Sequence, residues 1–217
     1  MSEPEQKLVF QWIANQSLGF GQKDQNGASL IHYAANDGNV NALEHLLQAL
    51  PESSQIDNTR YTYVHWAVIP SEGKWLGEAV LEWTLKKGYN LSPHDSEQNT
   101  PMHTAARHGN IPAMEWLHSH GVRVDVKNGG NFQPIHRATQ GGHIDALKWL
   151  LEHGADINAK GGVERSTTPL DVAISVPIAE WIKTKGGKEG KSGGGGCGTF
   201  ITIVIVVSAL LSLLRKC

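Results

Sequence analysis

The chain has 217 residues, room for one ordinary domain and an appendage. With 40% hydrophobic and 18% charged residues it can bury a core, which excludes disorder throughout. A formal net charge of −2 argues against a nucleic-acid partner, and its two cysteines, Cys197 and Cys217, exclude a disulfide-built fold.

Met1 to Phe10 carries Glu3, Glu5 and Lys7 and no long apolar run, so it does not read as a secretory signal. Residues Glu5 to Gln16, with Leu8, Val9, Trp12 and Ile13 at helical spacing, predict an amphipathic cap helix within an N-terminal segment 1–23.

From residue 24 a short pattern recurs, a turn followed by His and then small residues. Ser29-Leu30-Ile31-His32 precedes Ala34-Ala35, and Thr62-Tyr63-Val64-His65 precedes Ala67. Thr100-Pro101-Met102-His103 precedes Ala105-Ala106, and Gln133-Pro134-Ile135-His136 precedes Ala138. Thr168-Pro169-Leu170-Asp171 precedes Ala173. The fourth positions are spaced by 33, 38, 33 and 35 residues. Trp83, Trp116, Trp149 and Trp181 run in phase, each five residues before a glycine. Thr-Pro suits a helix start, since Thr caps orphan N–H groups and Pro is tolerated in the first turn. Gly38-Asn39, Gly109-Asn110 and Gly142-His143 should break the chain between two short helices. The second helix carries Leu43, Leu46 and Leu47, or Leu147, Leu150 and Leu151, on one face.

These motifs resemble those of the ankyrin-repeat family. Thr100-Pro101-Met102-His103-Thr104-Ala105 and Gly154-Ala155-Asp156-Ile157-Asn158-Ala159 carry the likeness most fully, and it spans about Asp24 to Gly187. The resemblance implies an all-α fold: an ankyrin-repeat solenoid of about five repeats over 24–187, with β-turn fingers. No single repeat buries its own apolar faces, so neighbours must stack. Five extra residues around Pro70-Ser71-Glu72-Gly73-Lys74 belong in the turn between the second repeat's helices. The fifth repeat has Asp171 for His and Val176-Pro177-Ile178 for the inter-helix glycine, and reads as a terminal cap.

After Gly187 the composition shifts to a Gly-rich linker over 188–198. A charge-free run over 199–214 then precedes the basic tail Arg215-Lys216-Cys217 at 215–217. Counted from Gly198 the run has seventeen residues, which as a helix span about 25 Å, near the short limit for a bilayer core of about 30 Å. This predicts a C-terminal transmembrane helix resembling a tail anchor, with the repeats on the cytosolic side. The short span with basic flanks favours a mitochondrial outer-membrane or peroxisomal location over endoplasmic reticulum. Cys197, beside this run, is a candidate for S-acylation. Two rivals stay open: a soluble scaffold whose tail docks, and a membrane-structural protein self-associating through Ser208 and Ser212.

Other signals carry less. Gly187-Lys188-Glu189-Gly190-Lys191-Ser192 lacks the first glycine of a P-loop, which would fall at Lys185. His94, His108, His118 and His120 crowd the third repeat without a nearby cysteine and read as turn or surface residues, so no metal or cofactor is expected. Trp83, Trp116 and Trp149 are expected to pack between repeats, with Trp75 in the insertion a better contact for a partner. No catalytic arrangement follows from linear spacing, and a non-enzyme is expected.

What the resemblance implies is a binding platform for a protein partner. Family contacts come from the finger tips and the first helix. By register these are Asn58, Thr59 and Tyr61; Glu97, Asn99, Arg107 and His108; Phe132, Thr139 and Gln140; and Glu164 and Arg165. Tyr61, Arg107 and Phe132 lead the set, as aromatics and Arg are enriched at interfaces.

Overall fold

The computed structural model describes residues 11–13, 18–164 and 166–190. Gln11, Trp12 and Ile13 are helical, and the rest of the predicted cap helix lies outside the described residues. So do Arg165, Cys197, residues 191–198 of the linker and the whole run 199–214. Among the described residues no helix is long and apolar enough to cross a membrane.

The described part is helical, with strand geometry confined to isolated bridges. It divides into two compact units, Met1–Ala105 with Pro112–Val122, and Ala106–Ile111 with Arg123–Cys217. The boundary runs through the third repeat.

In the first unit the helix pairs are α1 (Leu30–Asn36) with α2 (Val40–Ala49), and α3 (Tyr63–Ala67) with α4 (Glu78–Lys86). It also holds most of α5 (Pro101–Arg107) and α6 (Ile111–Ser119). Leu30, Ile31, Leu43, Leu46, Leu81, Met102, Met114 and Leu117 are fully buried. Small residues after each His, Ala34, Ala35, Ala67 and Ala105, are buried as well and let helices approach closely. Asn36 ties the first two repeats together: its amide donates to the carbonyls of Ile69 at 2.7 Å and Trp66 at 3.2 Å. Those carbonyls lie at the end of α3, where a helix leaves acceptors without internal partners.

The insertion sits where the sequence placed it, between α3 and α4. Ser71 and Lys74 exchange both backbone hydrogen bonds at 2.8 Å around Glu72 and Gly73. Both central residues have positive φ, 47° and 76°, the twist that a two-residue hairpin favours. Trp75 is not the exposed contact expected. It is half-buried, and its indole N–H donates to the carbonyl of Ala67 at 2.7 Å.

In the second unit α7 (Pro134–Gly141) pairs with α8 (Ile144–Glu152). Ile135, Leu147 and Leu150 are fully buried there. The fifth repeat keeps its second helix, α9 (Val176–Thr184), but its first shrinks to one 3-10 turn at Leu170–Val172. Ala173 follows in extended conformation, ψ 126°, and ends the turn. Gly38, Gly109 and Gly142, at the breaks between helices, are all left-handed.

The phased tryptophans form a repeated device. Trp116 and Trp149 are buried, and the ring four residues on, His120 or His153, stacks on each at 3.9 Å. Each imidazole Nδ1 lies 2.7 or 2.8 Å from the tryptophan's own carbonyl, donating to the last turn of its helix. At Trp83 and Trp181, which are half-buried, a lysine takes the same place, Lys87 at 5.6 Å and Lys185 at 5.9 Å from the ring centre. Imidazole stacking and cation–π contacts thus occupy these indole faces.

Candidate functional site

Each of the first four fingers is built around one polar side chain. Asp57 Oδ1 accepts from the backbone N–H of Thr59 at 2.8 Å and of Tyr61 at 2.9 Å, and from the Thr59 hydroxyl at 2.7 Å. Asp24 does the same for Asn26 and Ala28, and Asp95 for Glu97 and Asn99. In the second unit Asn128 holds Gly130 and Phe132. The residue three places on, Gly27, Arg60, Gln98 or Asn131, has positive φ in every case. The other Asp oxygen anchors the finger to its helix: Tyr33 OH donates to Asp24 at 2.9 Å and the Trp66 indole to Asp57 at 3.1 Å. Burial opposes ionisation of Asp24, but the hydrogen bonds from Ala28, Tyr33 and Asn26 win and hold its carboxyl below the usual range.

Neighbouring fingers are laced tip to tip through the backbone. Asn58 N–H donates to Asn26 C=O and Ser96 N–H to Thr59 C=O, both at 2.9 Å. In the second unit Gly162 N–H donates to Gly130 C=O at 2.7 Å.

The recurring histidines lock each finger to the next. Their Nδ1 accepts the backbone N–H three residues back: Ser29 at 3.0 Å, Thr62 and Thr100 at 3.2 Å, and Gln133 at 3.1 Å. That fixes the proton on Nε2. His32 Nε2 then donates to Tyr61 C=O and His65 Nε2 to Asn99 C=O, each at 3.1 Å. His136 Nε2 lies 3.1 Å from Ala159 C=O and 3.3 Å from Thr167 C=O. Burial pushes the pKa of His32, His65 and His136 down, outweighing these hydrogen bonds. The rings are architecture, neutral and occupied.

Arg165 lies outside the described residues, and the other eleven residues chosen by register separate into two kinds. Asn58, Thr59, Glu97, Arg107, His108 and Glu164 are exposed. Desolvation of its ring, together with the nearby Arg107 and His143, lowers the pKa of His108 although the residue as a whole reaches solvent. The others are drawn inward. Thr139 is fully buried and donates to Ile135 C=O at 2.8 Å, as a helix-interior threonine does. Asn99 is buried and its amide donates to Asp95 at 2.8 Å. Both are thereby removed from the candidate surface. Tyr61 is half-buried and stacks on His65 at 4.8 Å. Phe132 is half-buried against His136, 5.2 Å edge-on, with its ring over Gly161, where a Cβ would sit 2.5 Å from the ring. Gln140 is half-buried and accepts from Arg137 at 2.8 Å.

Register alone overlooked Val163, an apolar side chain left 97% exposed at the tip of the fifth finger, beside Glu164. The finger-building Asp24, Asp57, Asp95 and Asn128 were also missed, though each stands eight residues before its His.

Residues 74–161 match the family described as Ankyrin repeats (3 copies). Ankyrin repeats are thus present over that span, and the same finger and histidine geometry recurs before it at Ser29–His32. Tyrosine-protein kinase Shark of Drosophila melanogaster is 26% identical over 113 residues. The alignment covers 52% of this chain and 12% of that kinase, so the likeness concerns a small part of the relative.

Proposed function

We propose that this protein is a non-enzymatic interaction module that binds a protein partner through its finger tips. One observation carries the reading: the inner finger residues are committed to holding the repeats together, while Asn58, Thr59, Glu97 and Glu164 remain exposed at the tips of the second, third and fifth fingers. Function then resides in the surface chemistry of those tips. The test is partner capture by the full chain and by two charge reversals, Glu97→Lys in the first unit and Glu164→Lys in the second. A control, Lys86→Glu, sits on the exposed side of α4. Loss of capture by either tip variant, with the control intact, supports the surface. Undiminished capture by both overturns it.

We further propose that the module is held at a membrane by the charge-free run 199–214, with mitochondrial outer membrane or peroxisome preferred as the site. The support is the sequence itself: an uncharged apolar run flanked by Lys188 and Lys191 before it and by Arg215 and Lys216 after it. Alkaline carbonate extraction of the full chain tests this. A chain that resists extraction supports the anchor, and a fully extracted one favours the soluble scaffold.

A further inference from the structure

The fifth repeat inverts the hydrogen bonding that the others use. His32, His65 and His136 reach forward with a proton and donate to a carbonyl. Asp171 stands in their place and as a carboxylate has no proton to give. Its Oδ2 accepts from Thr168 N–H at 2.7 Å, reproducing the helix cap, and also from Gly190 N–H at 2.9 Å.

Gly190 belongs to a segment that doubles back after α9. Lys188 N–H donates to Asn158 Oδ1 at 2.7 Å, and the Asn158 amide donates to Gly186 C=O at 3.1 Å. Thr168 Oγ1 donates to Lys188 C=O at 2.7 Å. Both sides of Asn158 and both polar groups at the start of the 3-10 turn are therefore engaged by Gly186–Gly190. The fit is close enough to dictate residue type: a Cβ on Gly190 would collide with the carbonyl of Ser166 and approach Asp171 Oδ2 to 2.6 Å. This segment and the fifth finger also wall a polar cleft of about 560 Å³, with Lys160 and Glu164 on one side and Lys188 and Glu189 on the other.

We propose that Gly186–Gly190 is a closing strap, latched by Asp171, that stands where a next finger would stand. It supplies the partners that a sixth repeat would supply, and its donor at Gly190 explains why the acceptor Asp171 replaces the donor His. Gly190 consequently lies beside the fifth finger rather than beyond the end of α9. This does not depend on what the downstream run 199–214 does.

Hydrogen exchange on the full chain tests the strap. The Lys188 and Gly190 amides are expected to exchange slower than unstructured peptide by about tenfold or more. Asp171→Ala and Gly190→Ala should abolish that protection and also loosen the fifth finger, read at the Gly161 and Thr167 amides. Glu189→Ala, an exposed neighbour, should change neither. Protection of the Thr59 and Tyr61 amides reports that each variant still folds. Unprotected Lys188 and Gly190 amides in the unaltered chain overturn the latch. A fifth finger unaffected by strap release overturns the closing role.

Discussion

The His65 imidazole donates to the carbonyl of Asn99, thirty-four residues along the chain, at 3.1 Å. The same ring accepts the Thr62 N–H that begins its own helix, so one side chain serves both the local cap and the junction to the next finger. The ring must be neutral to do both, because Nδ1 is the acceptor.

That requirement sets the acid stability of the fold. Burial holds His32, His65 and His136 below the ordinary value of about 6.5. The unfolded chain then binds more protons than the folded one between the two pKa values, so stability is present above about pH 6.5 and falls as pH drops below it. Asp57 and Asp95 beside these rings, and the cations Lys23 and Arg137, adjust but do not reverse the sign. Each ring that titrates only on unfolding adds a slope of up to about 1.4 kcal/mol per pH unit. Chemical denaturation from about pH 8 to 5 should show a midpoint that is flat above about 7 and declines below. A midpoint that rises with acidification would contradict the neutral-ring assignment.

Removing one such ring should cost more than removing an ordinary buried side chain of its size. His136→Ala leaves the Gln133 N–H and the Ala159 carbonyl without their partner in a buried setting, while the Thr167 carbonyl keeps the Gly161 N–H. Unsatisfied buried groups cost about 1–3 kcal/mol each, so a loss of about 2–4 kcal/mol is expected from denaturant melts. The acid-dependent slope should also shrink in this variant.

The finger-building carboxylates allow a graded test. Asp57→Ala removes the acceptor for Thr59, Tyr61 and Trp66 together and should cost about 3 kcal/mol. Asp57→Asn should cost only about 1 kcal/mol, since an amide oxygen still serves the two backbone donors while the Trp66 indole loses its carboxylate. Asn128 already does this work in the fourth finger, holding Gly130 and Phe132. Equal losses for the two variants, measured by thermal melting, would show that charge rather than acceptor geometry holds the finger.

How far the sequence disclosed this can be judged from individual residues. His32, His65, His103 and His136 were legible because a side chain with one fixed job in every repeat recurs at a fixed period. Asp57 is equally periodic but does not stand out, since Asp is common in turns for many reasons. Tyr61 and Phe132 looked like partner anchors, yet an aromatic at a finger base can face solvent or stack inward, and only the packing on His65 and over Gly161 decides. The strap was hidden because Gly186-Gly187-Lys188-Glu189-Gly190 has the composition of a linker. Its order comes from Asn158, Thr168 and Asp171, none of which is adjacent in sequence.

Gly73 in the insertion and Gly77 at the start of α4 should respond differently to the same substitution. Gly73 has φ 76° and open space, with no atom within 4 Å, where a Cβ would stand, so Gly73→Ala meets only the left-handed backbone penalty of about 1 kcal/mol. Gly77 has an ordinary φ of −78° but is buried where a Cβ would collide with the carbonyl oxygen of Ala67 and lie 2.6 Å from its carbon. Relief requires α4 to move away from the end of α3, disturbing the packing around the buried Val80 and Leu81, at about 1–3 kcal/mol or more. Gly77→Ala should therefore destabilise more than Gly73→Ala in denaturant melts, although the backbone at Gly73 is the more unusual of the two. The Trp75 indole, bonded to that same Ala67 carbonyl, reports the cause. Its N–H should exchange faster in Gly77→Ala and stay unchanged in Gly73→Ala. The reverse order would place the strain in the hairpin turn instead of the helix contact.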